Sequence, residues 1–308
     1  MASPPPATPR VSAPVVDTDV VPAPARSPVV PELSPQLLVP LTPEEAEPYI
    51  TRQGWGAQEK FDGKRIMVDV AGGQVTAVNK QGRVIECPAR IAAAVKAVGK
   101  DLTVDGEWIS TDSVYVVFDL LKLDTTSLRN RGYHERYKKL DQLGLGGCCK
   151  TAELAVGEAK IREFILRLKS EGREGFVLKD LSASYSAGRL PTQLKVKFWE
   201  SASCVVLRVN YDPHDEDSRR SIAVALGGQF FGNVTVPPNY DMPAVGDVVE
   251  IKYLYAVRHL VQPQYLGVRD DVDPEECTVE RQRIKFKRGY ARESVKHAAA
   301  RLVARLLS

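Results

Sequence analysis

The stretch "EKFDGKR" (59–65) sets two lysines, an arginine, two acids and a glycine directly before the apolar run Ile66-Met67-Val68. A lysine amine is a good nucleophile only when neutral, and an ordinary lysine is protonated at pH 7. Lys60 stands between apolar positions and close to Lys64 and Arg65, a setting in which burial and neighbouring cations lower a lysine pKa. Gly63 permits a tight turn that brings backbone near a ligand, and Arg65 can hold a phosphate or a ribose. A charged lead-in to a hairpin explains the same residues equally well.

Three later stretches bear on the choice. "VDGEW" (104–108) puts Glu107 on a strand behind an Asp-Gly pair, and "REGFVLK" (173–179) puts Glu174 before an apolar strand with Lys179 at its end. "LKVKF" (194–198) spaces Lys195 and Lys197 two apart, on one face of a strand. Two cations on one half-buried face are costly unless an anion meets them. A triphosphate is such an anion, and Glu107 and Glu174 could meet the divalent metal that travels with it. Each fragment alone also fits a solvated strand. The weight lies in the ordered set.

The elements that must position these residues follow from periodicity. "RIMVDVAGGQVTAVNK" (65–80) reads as two strands joined at Ala-Gly-Gly, and "LTVDGEWIS" (102–110) with "VYVVFDLLKL" (114–123) as a second pair. "SLRNRGYHERYKKLDQL" (127–143) and "AVGEAKIREFILRLKSEG" (155–172) read as helices, the latter with Ile161, Phe164, Ile165 and Leu168 on one face. The mixture predicts an antiparallel α+β domain over residues 37–199. Closely spaced short strands from 200 to 280 predict a five-stranded OB-type barrel. Residues 281–308 form a basic extension ending in a helix, with Val295, Ala299, Leu302, Val303 and Leu306 in line. Residues 1–36, rich in proline and alanine, predict a disordered tail with polyproline II character. Within it "SPVVPELSP" (27–35) reads as a plain tether or as a PxxP ligand for a protein partner.

The bulk numbers limit the function classes. A chain of 308 residues has room for two domains and a real core. Its net charge is only +3, so any basic binding surface must be local. The five cysteines form no CxxC pair, which argues against a zinc ribbon or disulfide framework and for a reducing, cytoplasmic compartment. No apolar run reaches the roughly 18 residues of a membrane span, and no apolar core of a secretory signal opens the chain.

From about residue 40 to 278, the ordered motifs resemble those of the ATP-dependent DNA ligases. Their nucleotidyltransferase superfamily also holds RNA ligases and mRNA-capping guanylyltransferases. "KFDGKR" looks like the family's KxDGxR motif, "VDGEW" like its DGE motif, and "EGFVLK" and "LKVKF" like its last two catalytic-domain motifs. The resemblance implies an antiparallel-sheet nucleotidyltransferase domain of ATP-grasp-like build followed by an OB-fold domain. It makes Lys60 the adenylated nucleophile, with Gln58 at the adenine edge and Arg65 on ribose or the nick 5′-phosphate. Phe118, in "VVFDLLKLD", is implied to stack on the base, and Lys179 to contact the nucleotide. Glu107 would contact ribose and metal, Glu174 would support metal, and Lys195 and Lys197 would hold the α-phosphate. "NKQGR" (79–83) is similar to the family's R/K-x-G segment, which puts Lys80 and Arg83 on nucleic acid.

One segment departs from the pattern. "QPQYLGVRDDVDPEECT" (262–278) resembles the family's C-terminal RxDK-type motif, which engages pyrophosphate. Arg269 and Asp271 fit, and Arg269 would also touch nucleic acid, but Val272 replaces the lysine. Positions often basic are Val261, Gln264 and Gly267. Either Arg258 or another cation substitutes, or self-adenylylation leans less on barrel closure. The implied protein is a minimal monomeric ligase of viral or bacterial accessory type. It would use ATP with Mg2+ or Mn2+ to seal nicked duplex DNA inside the cell, without a membrane. The rival readings are an RNA or mixed RNA/DNA ligase, a guanylyltransferase preferring GTP, and a non-catalytic OB-fold scaffold for nucleic acid.

Overall fold

The computed structural model describes residues 27–212, 214, 218–287 and 290. A first run of elements comprises β1 (Gln36–Pro40), α1 (Pro43–Thr51), β2 (Trp55–Glu59), β3 (Lys64–Ala71), β4 (Gln74–Asn79), β5 (Val84–Ile85), α2 (Ala89–Lys96), β6 (Leu102–Ile109) and β7 (Val114–Leu123). Then come β8 (Thr126–Ser127), α3 (Tyr133–Gln142), β9 (Cys149–Thr151), β10 (Ala155–Val156), α4 (Glu158–Ser170), β11 (Gly175–Asp180) and β12 (Gly188–Lys197). A last group holds β13 (Glu200–Val209), β14 (Ser221–Leu226), β15 (Gln229–Thr235), β16 (Val248–Tyr253) and β17 (Gln264–Val268).

Strand alternation distributes these into three sheets. The order β1-β12-β11-β2-β10 makes one, and β5-β4-β3-β6-β7-β8, with β9 added on β7, makes another. The third is β15-β14-β13-β16-β17. In the first sheet, Ala57, Phe176, Leu178, Leu194 and Val196 point to one side, where Ile161, Phe164 and Leu168 of α4 cover them. The 3–4 spacing of those helix residues gives the apolar stripe such a face requires. Helix α1, from the same side, begins with a capping box: Thr42 Oγ1 accepts from Glu45 N at 3.2 Å and Glu45 Oε2 accepts from Thr42 N at 2.8 Å. In the second sheet, Ile66, Val68, Val70, Leu102 and Val104 face Ile91 and Val95 of α2 and Leu140 of α3. On the second sheet's other face, Met67, Val78 and Leu121 are buried against Leu33 and Tyr185. None of the described helices is long and apolar enough to cross a membrane.

Several expectations change. The first two sheets are mixed rather than antiparallel, because β1 pairs parallel with β12 and β9 parallel with β7. The connection through α3 gives β9 the crossover length that parallel pairing needs. The helix expected over 127–143 starts only at Tyr133, since Thr126 and Ser127 fold back onto β7. The segment expected to be a disordered tail is packed over its last ten residues. Val30 N donates to Gly82 O, Leu33 is buried beside Met67 and Tyr185, and Gln36 opens β1. Residues 1–26 and the helix expected near the C-terminus lie outside the described residues.

Candidate active site: a lysine-centred cavity between two sheets

The loop Lys60–Gly63 joins β2 of the first sheet to β3 of the second, so Lys60 sits where the two sheets meet. Its backbone N–H donates to Gly175 O at 3.0 Å, tying the loop to β11. A cavity of about 330 Å3 opens there. Alternation explains its lining. On β11 and β12 the even positions face α4, so Val177, Lys179, Gln193, Lys195 and Lys197 face the cavity. On β2, Ala57 faces the core and Gln58 the cavity.

Glu174 organises the cations. Its Oε2 accepts from Lys60 Nζ at 2.7 Å and its Oε1 pairs with Lys197 Nζ at 2.9 Å. Lys60 is therefore held by an acid, and the cations near it are Lys195 and Lys197 rather than its sequence neighbours: Lys64 is exposed and Arg65 is turned to Asp105. The anion that meets Lys197 is likewise Glu174. Lys195 has no ion-pair partner among the described residues. Burial, and then Lys197, Lys60, Lys80 and Arg189, lower its pKa.

Arg65 is engaged more fully than expected. It grips Asp105 through Nε at 2.9 Å and Nη2 at 2.6 Å, and its Nη1 donates to Gln36 O at 2.7 Å. Burial alone would lower its pKa, but the pairing with Asp105 outweighs that and raises it. Tyr185 OH completes the network by donating to Asp105 Oδ2 at 3.0 Å and accepting from Gln36 N. Gly63 lines the cavity and packs closely on the next strand, since a Cβ there would lie 2.4 Å from Trp108 O.

At the deep end, Phe118 presents its ring to the cavity, with Lys179 Nζ 4.9 Å and the Arg65 guanidinium 5.4 Å from its centroid. Lys179 is 3% exposed, and its Nζ has no hydrogen-bond partner. Burial lowers its pKa to about 7. Gln58 is 1% exposed; its Nε2 reaches Ala152 O at 3.4 Å while its Oε1 is unpartnered. Two orphaned buried polar atoms beside an aromatic ring fit the edge and face of a nucleobase, because leaving them unmade costs stability. Burial also pushes the Glu107 carboxyl up to about 7, against the pull of Lys60 and Arg65. The described residues contain no group of three His, Cys, Asp or Glu placed to hold a metal. Glu174 spends both oxygens on lysines, which leaves Glu107 as an open carboxylate for one.

Two implied nucleic-acid contacts lie elsewhere. Arg83 Nη1 donates to Ser27 O at 3.3 Å, and Arg269 is bidentate to Asp271 at 2.6 and 2.7 Å and meets Glu250 at 3.2 Å. Neither lines the cavity, whereas Lys80 does. Val272, the departure in the C-terminal motif, packs on the third sheet's core. Other residues arrive that the sequence did not single out. Arg189 lies beyond a bulge in β12, where four residues (190–193) are set against one of β1 (Leu38), and no periodicity reveals it. Gln262 comes from the third-sheet unit to accept from Lys197 Nζ at 2.7 Å.

Fold and site together are two apposed sheets in a mixed α+β body, with Lys60, Lys195 and Lys197 lining the cavity between them. Residues 108–197 match the family model of the ATP dependent DNA ligase domain. The multifunctional non-homologous end joining protein LigD of Mycolicibacterium smegmatis is 26% identical over 194 residues, covering 53% of this chain and 25% of that protein. A probable DNA ligase of Streptomyces griseus is 31% identical over 154 residues, covering 47% of this chain and 29% of its own length. The alignments thus span little more than a quarter of these curated relatives. A solved Lig E DNA ligase shares the fold with a TM-score of 0.57 at 19% identity, covering 77% of this chain and 99% of that one. The chain is thus similar to ATP-dependent DNA ligases over part of its length, and it shares the fold of a solved DNA ligase.

Proposed function

We propose that this chain is an ATP-dependent DNA ligase that seals 5′-phosphate/3′-hydroxyl nicks in duplex DNA through a lysyl-AMP intermediate on Lys60. The observation that carries the reading is the cavity itself. Lys60 lines it together with Phe118, with Gln58, whose Oε1 is unpartnered, and with Lys179, whose unpartnered Nζ lies 4.9 Å from the Phe118 ring centroid. Gln58 Oε1 accepts from the adenine amino group, the neutral Lys179 amine donates to a ring nitrogen, and Phe118 covers the base.

Lys60 must shed a proton before it attacks, and Glu174 is the acceptor already in contact with it. The Lys60 nitrogen then bonds to the α-phosphorus as the bond to the β-phosphate oxygen breaks and pyrophosphate takes the electron pair. Lys195 and Lys197 lie where charge grows on the α-phosphate. The AMP next passes to the 5′-phosphate at the nick, and the 3′-hydroxyl displaces it. A divalent cation, Mg2+ or Mn2+, supplies further neutralisation of phosphate charge when bound, and Glu107 is the residue that would hold it. In this reading residues 37–199 are the nucleotidyltransferase domain and the third sheet is an OB-type barrel. The protein works as a monomer in a reducing intracellular compartment, with Lys80 on the duplex.

The test is Lys60→Ala incubated with α-labelled ATP. Wild type should acquire covalent label and the variant none; label on the variant refutes the assignment. Nicked duplexes with DNA or RNA on each side, offered with ATP, GTP or NAD, separate the ligase readings.

A further inference from the structure

The third-sheet unit reaches the nucleophile loop through residues that lie outside all the motifs above. Tyr255 OH donates to Asp62 Oδ2, and Lys287 Nζ donates to the same oxygen at 2.9 Å. Asp62 is the acid inside Lys60–Gly63, two residues from the nucleophile. Tyr255 is 4% exposed, and Lys287 Nζ lies 5.2 Å from its ring centroid, so the two donors brace each other. Lys285, on the same short segment, donates from Nζ to Phe198 O at 3.2 Å. Phe198 belongs to the two-residue link between β12 and β13, and its N–H is already held by Glu174 O at 2.9 Å. The segment is pinned by its own backbone: Ala256 N donates to Lys285 O at 2.7 Å, and Lys287 N to Ala256 O at 2.9 Å. Burial opposes ionisation of Asp62, but the hydrogen bonds from Lys287 and Tyr255 outweigh it and hold its pKa below the usual carboxylate range.

We propose that Tyr255 and Lys287 are positioning residues for the first chemical step: by fixing Asp62 from across the domain boundary they orient the loop that carries Lys60. The idea rests on the ligase reading above. The contact ties the third-sheet unit down over the cavity mouth, where Gln262 already meets Lys197. Closure of this unit for the nucleotide step is what the ligase resemblance already implies; what this pair of residues adds is the fixing of Asp62 in that closed arrangement.

Tyr255→Phe, Lys287→Met and the double variant test this in the full-length chain, with two single-turnover measurements. The first is formation of enzyme-AMP from ATP; the second is sealing of a nicked duplex by protein already carrying AMP. Loss of hydrogen bonds to a charged group predicts a slowing of the first by about tenfold or more. The second should be unchanged or faster, and Lys287→Arg should restore the first. Equal slowing of both steps would mark a merely structural contact and overturn the proposal, as would an unchanged first step. If wild type itself forms no enzyme-AMP, the ligase reading fails together with this one. A wild-type adduct that the variants form at full rate sinks this proposal alone.

Discussion

Lys179→Met should make the protein more stable at neutral pH, and by an amount that depends on pH. The amine is fully enclosed, and burial brings its pKa from 10.5 to about 7. Between those values the unfolded chain binds a proton that the folded chain does not, so stability rises with pH across that window. Below pH 7 both states hold the proton and the cost is constant; above pH 10.5 neither does and it vanishes. At pH 7.5 three units remain, which is at most about 4 kcal/mol. The Phe118 and Tyr133 rings, 4.9 and 4.2 Å from Nζ, reduce that figure because they attract the charged form. Methionine fills a similar volume, has no proton to exchange and sits well beside aromatic rings. The expected gain is therefore on the order of 1–4 kcal/mol at pH 7.5, shrinking towards zero near pH 10. Urea unfolding of both proteins at pH 6.5, 7.5, 9 and 10 measures it, since titrations common to both cancel in the difference. A variant less stable than wild type at pH 7.5, or a difference that does not change with pH, would refute the burial argument. On the proposed reading the same variant should bind ATP more weakly, because the donor assigned to the base is gone.

Two further outcomes follow from the site. Gly63→Ala should destabilise by about 1–3 kcal/mol, because the new Cβ meets Trp108 O at 2.4 Å and backbone must yield; denaturant titration reads this, and labelling with ATP should slow as the loop shifts. Burial holds the Glu107 carboxyl neutral up to about pH 7, so its ionisation above that adds negative charge beside bound phosphates. Metal-free ATP affinity of wild type should fall between pH 6 and 8 by calorimetry, and Glu107→Gln should fall less, the remainder being carried by Lys179, which loses its charge in the same range.

How much was legible can be argued residue by residue. The period-2 spacing of Lys195 and Lys197 put both on one face, and the structure has them facing the cavity together, because alternation is a local property of a strand. What met Lys197 was not legible: the acid is Glu174, twenty-three positions earlier, delivered by the β11–β12 pairing. Arg65 is the clearer case. From its neighbours it read as a group that can hold a phosphate or a ribose; that Asp105 on β6 and a carbonyl from the N-terminal strand also engage it was not legible. Arg83 and Arg269 were placed by motif and turned out to be held by Ser27 O and by Asp271 and Glu250.

The sequence by itself determined which residue types are present, which strands alternate, and where the apolar stripe of α4 falls. Those follow from side-chain size and backbone periodicity within a few neighbours. Only the tertiary structure decided which charge is paired with which. Ion pairing depends on strand register across more than a hundred residues of chain, as between Lys60 and Glu174, and on burial, which leaves Gln58 Oε1 and Lys179 Nζ without partners. It also decided that Asp62, a motif position given no role by the sequence, is the point where the far end of the described chain touches the loop carrying Lys60.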